Sequence, residues 1–399
     1  MNLVYVSDQY WPTLSGVSVS IDSFRRELSN LGHNTYLLAP DYPGADDYDR
    51  KANDKTVFRF RSHKPIFNDE NRLVYKSEKK RVCQLLNAIK PDLIHVHTEF
   101  SLGQIASSFA VRYGIPLVMT AHTNYEELVN HYIPFVPSKV ARYYCRAKMR
   151  RVYNKANTVI VPTSLMELLL SLYFVSKPIV VIPTGIDKAD FHNTNNSAAS
   201  ICKTYPRLKD KRILFFAGRL GREKNITFLM DVLQRLLPDH ADLMLVISGS
   251  GPAKQELQDY AEGKGVAANV VFTGFIERQR LKDFYSLADI FVFASKVESQ
   301  GLVVLEAMTC GIPVVAIGKM GTREVMGGDS GGFMVDDDLE MFAEKVGLLL
   351  SDRSVYRSKS LEALRHAQNW RIHVQVARMH KLYQSLVMKF RNKRCGRTL

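Results

Sequence analysis

The chain has 399 residues, of which 46% are hydrophobic and 24% are charged, so its length predicts two domains and its composition a globular protein, not a disordered, collagen-like or coiled-coil one. Five scattered cysteines without a CxxC pair argue against a disulfide framework and against a zinc knuckle. Lys and Arg number 54 against 40 Asp and Glu, and this surplus predicts an anionic partner: a nucleic acid, a phosphorylated ligand or a lipid headgroup surface.

The predicted elements follow one another as alternating strands and helices. Short runs rich in Val, Ile, Leu and Phe are separated by helical stretches, which is typical of βαβ units and of a largely parallel sheet. In the first half, strands are predicted at residues 3–6, 35–38, 57–60, 93–96, 117–120, 158–161 and 180–182. In the second half, they are predicted at residues 212–216, 243–247, 270–272, 290–293 and 314–316. Each set fits one doubly wound sheet, so the predicted fold class is α/β.

The segment 187–211 loses hydrophobic periodicity and gathers Asn, Ser and Lys, as an interdomain linker does. We place the domain boundary near residue 195, which predicts domains at 1–195 and 196–375. Residues 376–399 are predicted to form a basic helix or tail that packs back toward the N-terminal domain, with a merely solubilising tail as the alternative. No apolar run reaches the roughly 18 residues of a transmembrane helix, and the N-terminus is predicted to be a first strand, not a signal peptide.

A concentration of positive charge lies at residues 139–155, where there are seven Lys or Arg and no acidic residue. Residues spaced by four lie on one side of a helix, so this segment predicts an amphipathic basic helix. Its basic residues include Lys139 and a stripe formed by Arg142, Arg146 and Arg150, and its apolar stripe is Val140, Tyr144 and Ala147. Such a helix docks on an anionic surface or packs inside the protein.

The strongest local signal is the sequence VESQGLVVLEAM, which follows a predicted strand. Ligands of open parallel sheets bind beyond the carboxyl ends of the strands. A helix is predicted to begin near Gly301, and the free N–H groups of Gly301, Leu302 and Val303 would form a phosphate site. Glu298 and Glu306 would then accept hydrogen bonds from sugar hydroxyls on either side of the phosphate, unless they only cap or solvate the helix.

The sequence FFAGRLGREKN predicts a buried strand followed by Arg219 and Lys224. A bidentate guanidinium and a point-charge ammonium match the negative charge that grows on a diphosphate leaving group. Arg222 and Glu223 lie between these two residues and could form a surface ion pair.

Polar residues also follow strands of the first half. Gly16 precedes a helix and would let the backbone approach a phosphate closely, although most such glycines only make a turn. His122 could hydrogen-bond a sugar hydroxyl or orient the reaction centre. His95 and His97 are spaced to share a strand face, but no third ligand of suitable spacing follows, so we predict neither a zinc site nor a need for any metal or cofactor.

Together these motifs resemble the retaining nucleotide-sugar glycosyltransferases of family 4, and the resemblance covers essentially the whole chain. Its marks in chain order are Gly16, AHTNYEE with His122, VIPTGID at 181–187, GRLGREKN with Arg219 and Lys224, and the E-x7-E spacing of Glu298 and Glu306. It implies the GT-B architecture: two Rossmann-like domains that face each other across a cleft, the first binding the acceptor and the second the nucleotide sugar. Many relatives carry a double glycine where this chain has Ser15-Gly16.

The resemblance also implies roles for residues of the second domain. Arg219 and Lys224 would neutralise the diphosphate of the donor. Glu306 would hold the ribose and Glu298 the hexose hydroxyls, and the backbone around Ile276 would meet the base.

In the first domain, the resemblance implies that His122 contacts the hexose near the reacting carbon and that Gly16 lets the first loop close over donor and acceptor. Similar enzymes retain the anomeric configuration, by a front-face attack in which the leaving phosphate takes the acceptor proton. They do so without a bound metal.

The stretch 122–151 looks most like the subgroup that glucosylates diacylglycerol lipids, with Tyr132 and Phe135 receiving the lipid while the basic helix docks on an anionic membrane. This resemblance implies a cytoplasmic enzyme, peripheral on the inner face of the cell membrane, that moves glucose from UDP-glucose to a lipid or glycolipid. The alternatives are transfer of mannose or another hexose to lipopolysaccharide core or a soluble acceptor, and a non-catalytic nucleotide-sugar sensor. A nucleic-acid-binding protein is disfavoured because no nucleic-acid module is found.

Overall fold

The computed structural model describes residues 1–13, 15–65, 71–126, 138–191 and 197–394. The chain divides into two compact units. Unit 1 comprises Met1–Gly185 and Ile372–Leu399, and unit 2 comprises Ile186–Arg371.

Unit 1 is built around a parallel sheet of seven strands. Seven strands form this sheet: β1 (Asn2–Val6), β2 (Asn34–Pro40), β3 (Val57–Phe60), β6 (Leu93–Val96), β7 (Leu117–Thr120), β8 (Thr158–Val161) and β9 (Ile179–Val181). Two short strands, β4 (Ser62–His63) and β5 (Leu73–Val74), lie outside it. The sheet order is β3-β2-β1-β6-β7-β8-β9, and β4 pairs separately with β5 in antiparallel fashion. Every residue of β6, β7 and β8 is buried, as expected for parallel strands covered on both faces.

The helices of unit 1 join successive strands of this sheet. They are α1 (Gly16–Asn30), α2 (Ala45–Ala52), α3 (Lys79–Ile89), α4 (Ser101–Tyr113), α5 (Ser138–Tyr153) and α6 (Ser164–Leu172). A side-chain cap fixes the start of α6, where Thr163 accepts a hydrogen bond from the Met166 N–H.

Unit 2 repeats the same plan with six strands. Its strands are β10 (Arg212–Ala217), β11 (Leu243–Ser248), β12 (Val270–Gly274), β13 (Ile290–Phe293), β14 (Val314–Ile317) and β15 (Gly332–Val335), in the parallel order β12-β11-β10-β13-β14-β15. Its helices are α7 (Ser197–Thr204), α8 (Ile226–Leu236), α9 (Lys254–Gly263), α10 (Arg278–Leu287), α11 (Leu302–Thr309), α12 (Met320–Met326), α13 (Leu339–Ser351) and α14 (Arg353–Ala367).

Both sheets reverse their strand order beside their first strand. In unit 1, β1 lies between β2 and β6, and in unit 2, β10 lies between β11 and β13. A doubly wound sheet binds its ligand beyond the carboxyl ends of the strands that flank this reversal. The loops after β10 and β13 are therefore the expected place for a ligand of unit 2.

The segment predicted to be a linker is part of unit 2. It contains α7, and its apolar side chains Phe191, Ile201 and Leu208 are buried in the unit 2 core. The chain accordingly passes from unit 1 to unit 2 after Gly185 and not near residue 195. The three apolar residues lie in three separate short elements and are widely spaced among small, polar and basic residues, so the segment shows no amphipathic pattern that would reveal them.

The last helix, α15 (Ile372–Arg394), begins before the predicted residue 376 and belongs to unit 1. It packs against α1 and buries Val376, Met379 and Tyr383. Within the described parts of the chain, no helix combines the length and the apolar character needed to cross a bilayer.

Candidate active site

The loops after β10, β11 and β12 pack against one another at the carboxyl end of the unit 2 sheet. The Gly218 N–H donates to the Ser248 carbonyl oxygen at 3.0 Å, and the Gly249 N–H donates to the Gly274 carbonyl oxygen at 2.9 Å. A Cβ added at Gly249 would lie only 1.8 Å from the Gly218 carbonyl oxygen. Glycine is therefore needed at position 249 for this close approach between two loop backbones.

An ion pair joins the loop after β10 to the loop after β13. Lys224 Nζ donates to Glu298 Oε1 at 2.5 Å, and the two side chains are only 17% and 14% exposed. The Glu298 carbonyl oxygen accepts from the Gly321 N–H at 3.0 Å, which links this loop to α12. The fold thus brings together two predicted site residues that are far apart in sequence.

Arg219 lies in the same loop after β10. Its Nη1 is 3.4 Å from Glu223 Oε1, and the Glu223 carbonyl oxygen accepts from the Lys296 N–H at 3.1 Å. The alternative considered from the sequence was an ion pair between Arg222 and Glu223. In the structure, Arg222 Nε instead donates to Glu256 Oε2 at 3.0 Å. Arg219 therefore has a carboxylate partner, Glu223, within its own loop.

Helix α11 begins at Leu302, one residue after the glycine predicted to open it. Gly301 is the cap residue and has φ 86°, a left-handed conformation that glycine adopts without strain. Leu302 and Val303 lie in the first turn, so no carbonyl within the helix accepts from their N–H groups. Thr322 Oγ1 lies 3.5 Å from where a Gly301 Cβ would be, and this buried hydroxyl has no hydrogen-bond partner among the described residues. The start of α11 thus lies beside a buried hydroxyl, and the N-terminus of a helix is where an anion is favoured.

Glu306 lies on α11 and is almost fully buried. The Tyr285 hydroxyl, from α10, donates to Glu306 Oε2 at 3.0 Å and so positions this carboxylate. Burial, together with the charge of Glu306, raises the pKa of the Cys310 thiol to about 12. Ile276, in the loop after β12, packs its half-buried side chain against the unit 2 core.

In unit 1, Gly16 is the exposed first residue of α1. The preceding Ser15 caps this helix, because its side chain accepts a hydrogen bond from the Ser18 N–H at 3.2 Å. A serine in place of the first glycine therefore has a local structural role, which is to fix where α1 begins.

His122 follows β7 and is hydrogen-bonded to another histidine. Its Nε2 lies 2.8 Å from Nδ1 of His97, whose own Nε2 is buried with no hydrogen-bond partner among the described residues. Burial lowers the pKa of His122 to about 4, and burial together with the neighbouring imidazoles lowers the pKa of His97 well below its usual value. The ring of His95 packs against that of His97, with 4.0 Å between the ring centroids, but its hydrogen bonds go elsewhere, to the Tyr383 hydroxyl at 2.5 Å and to Thr120 Oγ1 at 2.6 Å.

Helix α5 turns the predicted apolar stripe toward solvent. Val140, Tyr144 and Ala147 are all exposed, whereas Ala141 and Met149 are buried. The helix is therefore apolar on two sides, one that packs on unit 1 and one that is open to a partner.

The predicted basic stripe of α5 is divided between the protein and solvent. Arg146 donates to Glu126 from Nε at 3.1 Å and from Nη2 at 2.5 Å, and its guanidinium lies over the Tyr173 ring. Burial would raise the pKa of Glu126, but hydrogen bonds from Arg146 and Tyr173 and the charge of half-buried Arg142 hold it below its usual value. Arg142 and Arg146 thus stabilise the negative charge of the mostly buried Glu126 carboxylate, which the sequence pattern did not predict. Further exposed basic side chains of α5 are Lys139, Lys148, Arg150 and Arg151.

Two predicted acceptor residues, Tyr132 and Phe135, lie outside the described residues. Across the described ranges, no group of three or more His, Cys, Asp or Glu side chains is placed to hold a metal ion.

Comparison with known proteins assigns the chain to a family. The model of Glycosyltransferase Family 4 matches residues 14–190, and that of Glycosyl transferases group 1 matches residues 201–368. The alpha-monoglucosyldiacylglycerol synthase of Streptococcus pneumoniae is 30% identical over 325 residues, which span 80% of this chain and 71% of that protein. The chain belongs to glycosyltransferase family 4.

Another relative of this family 4 glycosyltransferase aligns over nearly its full length. The GDP-mannose-dependent alpha-(1-6)-phosphatidylinositol monomannoside mannosyltransferase of Mycolicibacterium smegmatis is 26% identical over 390 residues, which span 95% of this chain and 97% of that protein. Among solved structures, Anabaena HepE in complex with UDP-glucose matches with a TM-score of 0.77 at 16% identity, covering 96% of this chain and 99% of that chain. The two Rossmann-like domains therefore have the GT-B fold.

Sequence reasoning missed two residues that shape the unit 2 site of this family 4 glycosyltransferase, Tyr285 and Thr322. In unit 1, His97 was noted as a polar residue after a strand and weighed as a zinc ligand, but its hydrogen bond to His122 was not predicted. Thr322 shortly follows β14, so the same rule that selected residues beyond other strands could have found it. Tyr285 lies within a helix, and its contact with Glu306 depends on how α10 packs.

Proposed function

We propose that the chain is a retaining, metal-independent hexosyltransferase that moves glucose from UDP-glucose to a membrane lipid or glycolipid. The observation that carries the proposal is the Lys224–Glu298 pair at the strand-order reversal of unit 2, in the same group of loops as the start of α11. Membership of family 4 supports glycosyl transfer, and the name of the Streptococcus relative supports glucose as the sugar and diacylglycerol as the acceptor.

The basic residues of this edge suit a diphosphate leaving group. As the bond between the anomeric carbon and the phosphate oxygen breaks, the nucleoside diphosphate gains negative charge. Arg219, Lys224 and the first N–H groups of α11 would stabilise that charge more strongly in the transition state than in the bound donor. A bound diphosphate would compete with Glu298 for the Lys224 ammonium, which would free a carboxylate oxygen to accept hydrogen bonds from the hexose.

Retention follows if the acceptor hydroxyl attacks from the face that the diphosphate leaves. The acceptor oxygen bonds to the anomeric carbon as the carbon–phosphate oxygen bond breaks, and the acceptor proton passes to the leaving phosphate oxygen. His122 would contact the hexose near this carbon. Because its pKa is lowered to about 4, its ring is neutral at pH 7 and can hydrogen-bond without adding charge.

The outward side of α5 supports a membrane acceptor. Exposed Val140 and Tyr144 are suited to the apolar part of a bilayer interface, and each exposed Lys or Arg near an anionic surface contributes about 1 kcal/mol. The protein would therefore attach peripherally, on the inner face of the cell membrane. Nucleic acid is not a proposed partner.

A donor panel tests the proposal. The full chain is incubated with UDP-glucose, UDP-galactose or GDP-mannose and with a membrane lipid extract that contains diacylglycerol, and the products are identified by mass spectrometry. We expect a glucosyl lipid from UDP-glucose, an α-linked product by NMR, and the same rate with and without EDTA.

Each result in the panel contradicts or supports a separate part of the proposal. A product from GDP-mannose alone would replace glucose by mannose as the sugar. A β-linked product would contradict retention, and loss of activity in EDTA would contradict metal independence. Donor binding without any transfer would indicate a nucleotide-sugar sensor.

A further inference from the structure

Helix α6 presents apolar side chains to solvent as well as to the core. Met166 and Leu170 are buried in unit 1, whereas Leu168 and Leu172 are 55% and 60% exposed. A surface helix normally has a polar outer face, so a helix that is apolar on both sides is suited to a second apolar environment.

Phe174, just beyond α6, is held in an unfavourable backbone conformation. It has φ 60° and is 73% exposed. The Val175 N–H donates to the Leu170 carbonyl oxygen at 3.1 Å, which closes a loop of the Schellman type around Phe174. Glycine is strongly favoured at this position, because the Cβ of any other residue is crowded in the left-handed region.

Burial does not explain the phenylalanine at this position, since most of its ring is in solvent. Its described ring contact is the guanidinium of Arg150, which lies 5.9 Å from the ring centroid. A strained residue that exposes a large apolar ring points to a function outside the folded core.

The Arg150 contact also joins Phe174 to the outward side of α5. On that helix Tyr143 and Tyr144 are 76% and 67% exposed, and the segment 139–155 contains no acidic residue. The exposed apolar groups of the two helices are thus accompanied by positive charge. This combination is complementary to an anionic lipid surface, in which basic side chains meet headgroups and aromatic and leucine side chains enter the interface.

We propose that Leu168, Leu172 and Phe174, here called the α6 tip, insert into an anionic lipid bilayer as a second contact beside α5. The inference rests on the proposed function, in which the acceptor is a membrane lipid. It extends that function, because contacts from two helices fix the orientation of unit 1 on the membrane, whereas a single helix would allow rotation about its axis.

The variant Phe174→Gly separates membrane binding from folding. The full chain is co-sedimented with vesicles of phosphatidylglycerol and phosphatidylcholine, and with vesicles of phosphatidylcholine alone. We expect affinity for the anionic vesicles to fall about tenfold, since an aromatic side chain no longer enters the interface. The melting temperature should not fall, because glycine relieves the left-handed backbone at this position. Leu172→Ser is a second variant and should also weaken binding.

Two variants serve as matched controls. Asn53→Gly changes another residue with a left-handed conformation, φ 49° at the end of α2, and Val111→Ser removes an exposed apolar side chain from α4. Both variants should bind vesicles as tightly as the parent chain. This result would show that neither a glycine substitution elsewhere nor the loss of an exposed apolar side chain elsewhere is enough to weaken vesicle binding.

The results distinguish this inference from the proposed function. If Phe174→Gly and Leu172→Ser bind anionic vesicles as tightly as the parent, the α6 tip does not insert. If the parent binds no vesicle but transfers sugar to detergent-dissolved diacylglycerol, the inference and the proposed peripheral attachment are overturned, while the proposed sugar transfer to a lipid stands. If neither binding nor transfer occurs, both are overturned.

Discussion

At the scale of single residues, Lys224 is placed to act on the transition state. Replacing it by methionine keeps its apolar stem and removes the charge that would stabilise a leaving diphosphate. It also leaves the Glu298 carboxylate, 14% exposed, without its cation and next to the proposed anion. We expect kcat for Lys224→Met to fall about 10²- to 10³-fold, with a smaller change in KM, measured by nucleotide release in steady state.

The control for this variant is Arg235→Met. Arg235 pairs with Glu340 at 2.9 Å in the same unit, but on an exposed surface away from the loops after β10 and β13. It should leave kcat and KM unchanged. A double variant, Lys224→Met with Glu298→Gln, should regain stability but not turnover, since it restores the charge balance without restoring the cation. Recovery of turnover in the double variant would show that Lys224 only neutralises Glu298.

His97 is expected to set which nitrogen of His122 carries the proton. An unpartnered buried N–H is rarer than an unpartnered buried lone pair, so the orphaned Nε2 of His97 is assigned as unprotonated. Its Nδ1–H then donates to His122 Nε2, and His122 presents Nδ1–H as a donor. We expect His97→Leu to lower kcat about 10-fold or more, and His97→Asn, whose amide can replace the Nδ1–H, to retain most activity.

A merely structural histidine would behave differently. In that case the two His97 variants would lose activity in proportion to their loss of melting temperature, and asparagine would give no rescue. His95→Gln is the matched control, because His95 lies two residues away but bonds to Thr120 and Tyr383 instead of His122. We expect His95→Gln to lower the melting temperature and to leave kcat nearly unchanged.

At the scale of elements, periodicity and composition are sufficient to locate most strands. The apolar runs 93–96 and 290–293, predicted as strands, coincide with β6 and β13, and every residue in them is buried. Parallel strands covered on both faces are continuously apolar, so such strands are easy to recognise in a sequence. The strand β15 (Gly332–Val335) was missed, since it is short and follows a glycine-rich stretch that resembles a loop. Helix α7 was missed because its segment is rich in small and polar residues, and among its side chains that the structure describes, Ile201 is the deeply buried one.

The candidate site shows the same division between local and long-range information. The E-x7-E spacing and the glycine at the start of α11 are local, so the sequence reveals them. The Lys224–Glu298 contact joins residues 74 positions apart. It forms because β13 pairs with one edge of β10, whereas β11 and β12, which precede β13 in the chain, lie on the other side of β10. For α5, both candidate apolar sides fit helical spacing, and only packing decides that Met149 faces the core and Tyr144 the solvent.

At the scale of the whole molecule, unit 1 is assembled from both ends of the chain. Its sheet and first helices come from residues before 186, and its last helix, α15, arrives after unit 2 is complete. Unit 1 therefore depends on contacts of very long sequence separation, which require closure of a large loop of chain. Tyr383 is the clearest of these contacts, since its fully buried hydroxyl lies 2.5 Å from His95 Nδ1 and 3.3 Å from the Tyr5 hydroxyl.

Tyr383→Phe is expected to destabilise unit 1 while leaving unit 2 intact. The change preserves the ring but leaves a buried nitrogen of His95 without its partner, which costs about 1–3 kcal/mol. Hydrogen exchange should show faster opening of β1 and β6 and unchanged protection of β10 and β13, whereas the control Tyr143→Phe, on an exposed ring, should change neither. Equal loss of protection in both units would mean that α15 stabilises the chain as one cooperative body, and unchanged protection in β6 would mean that the hydroxyl contributes nothing to its attachment.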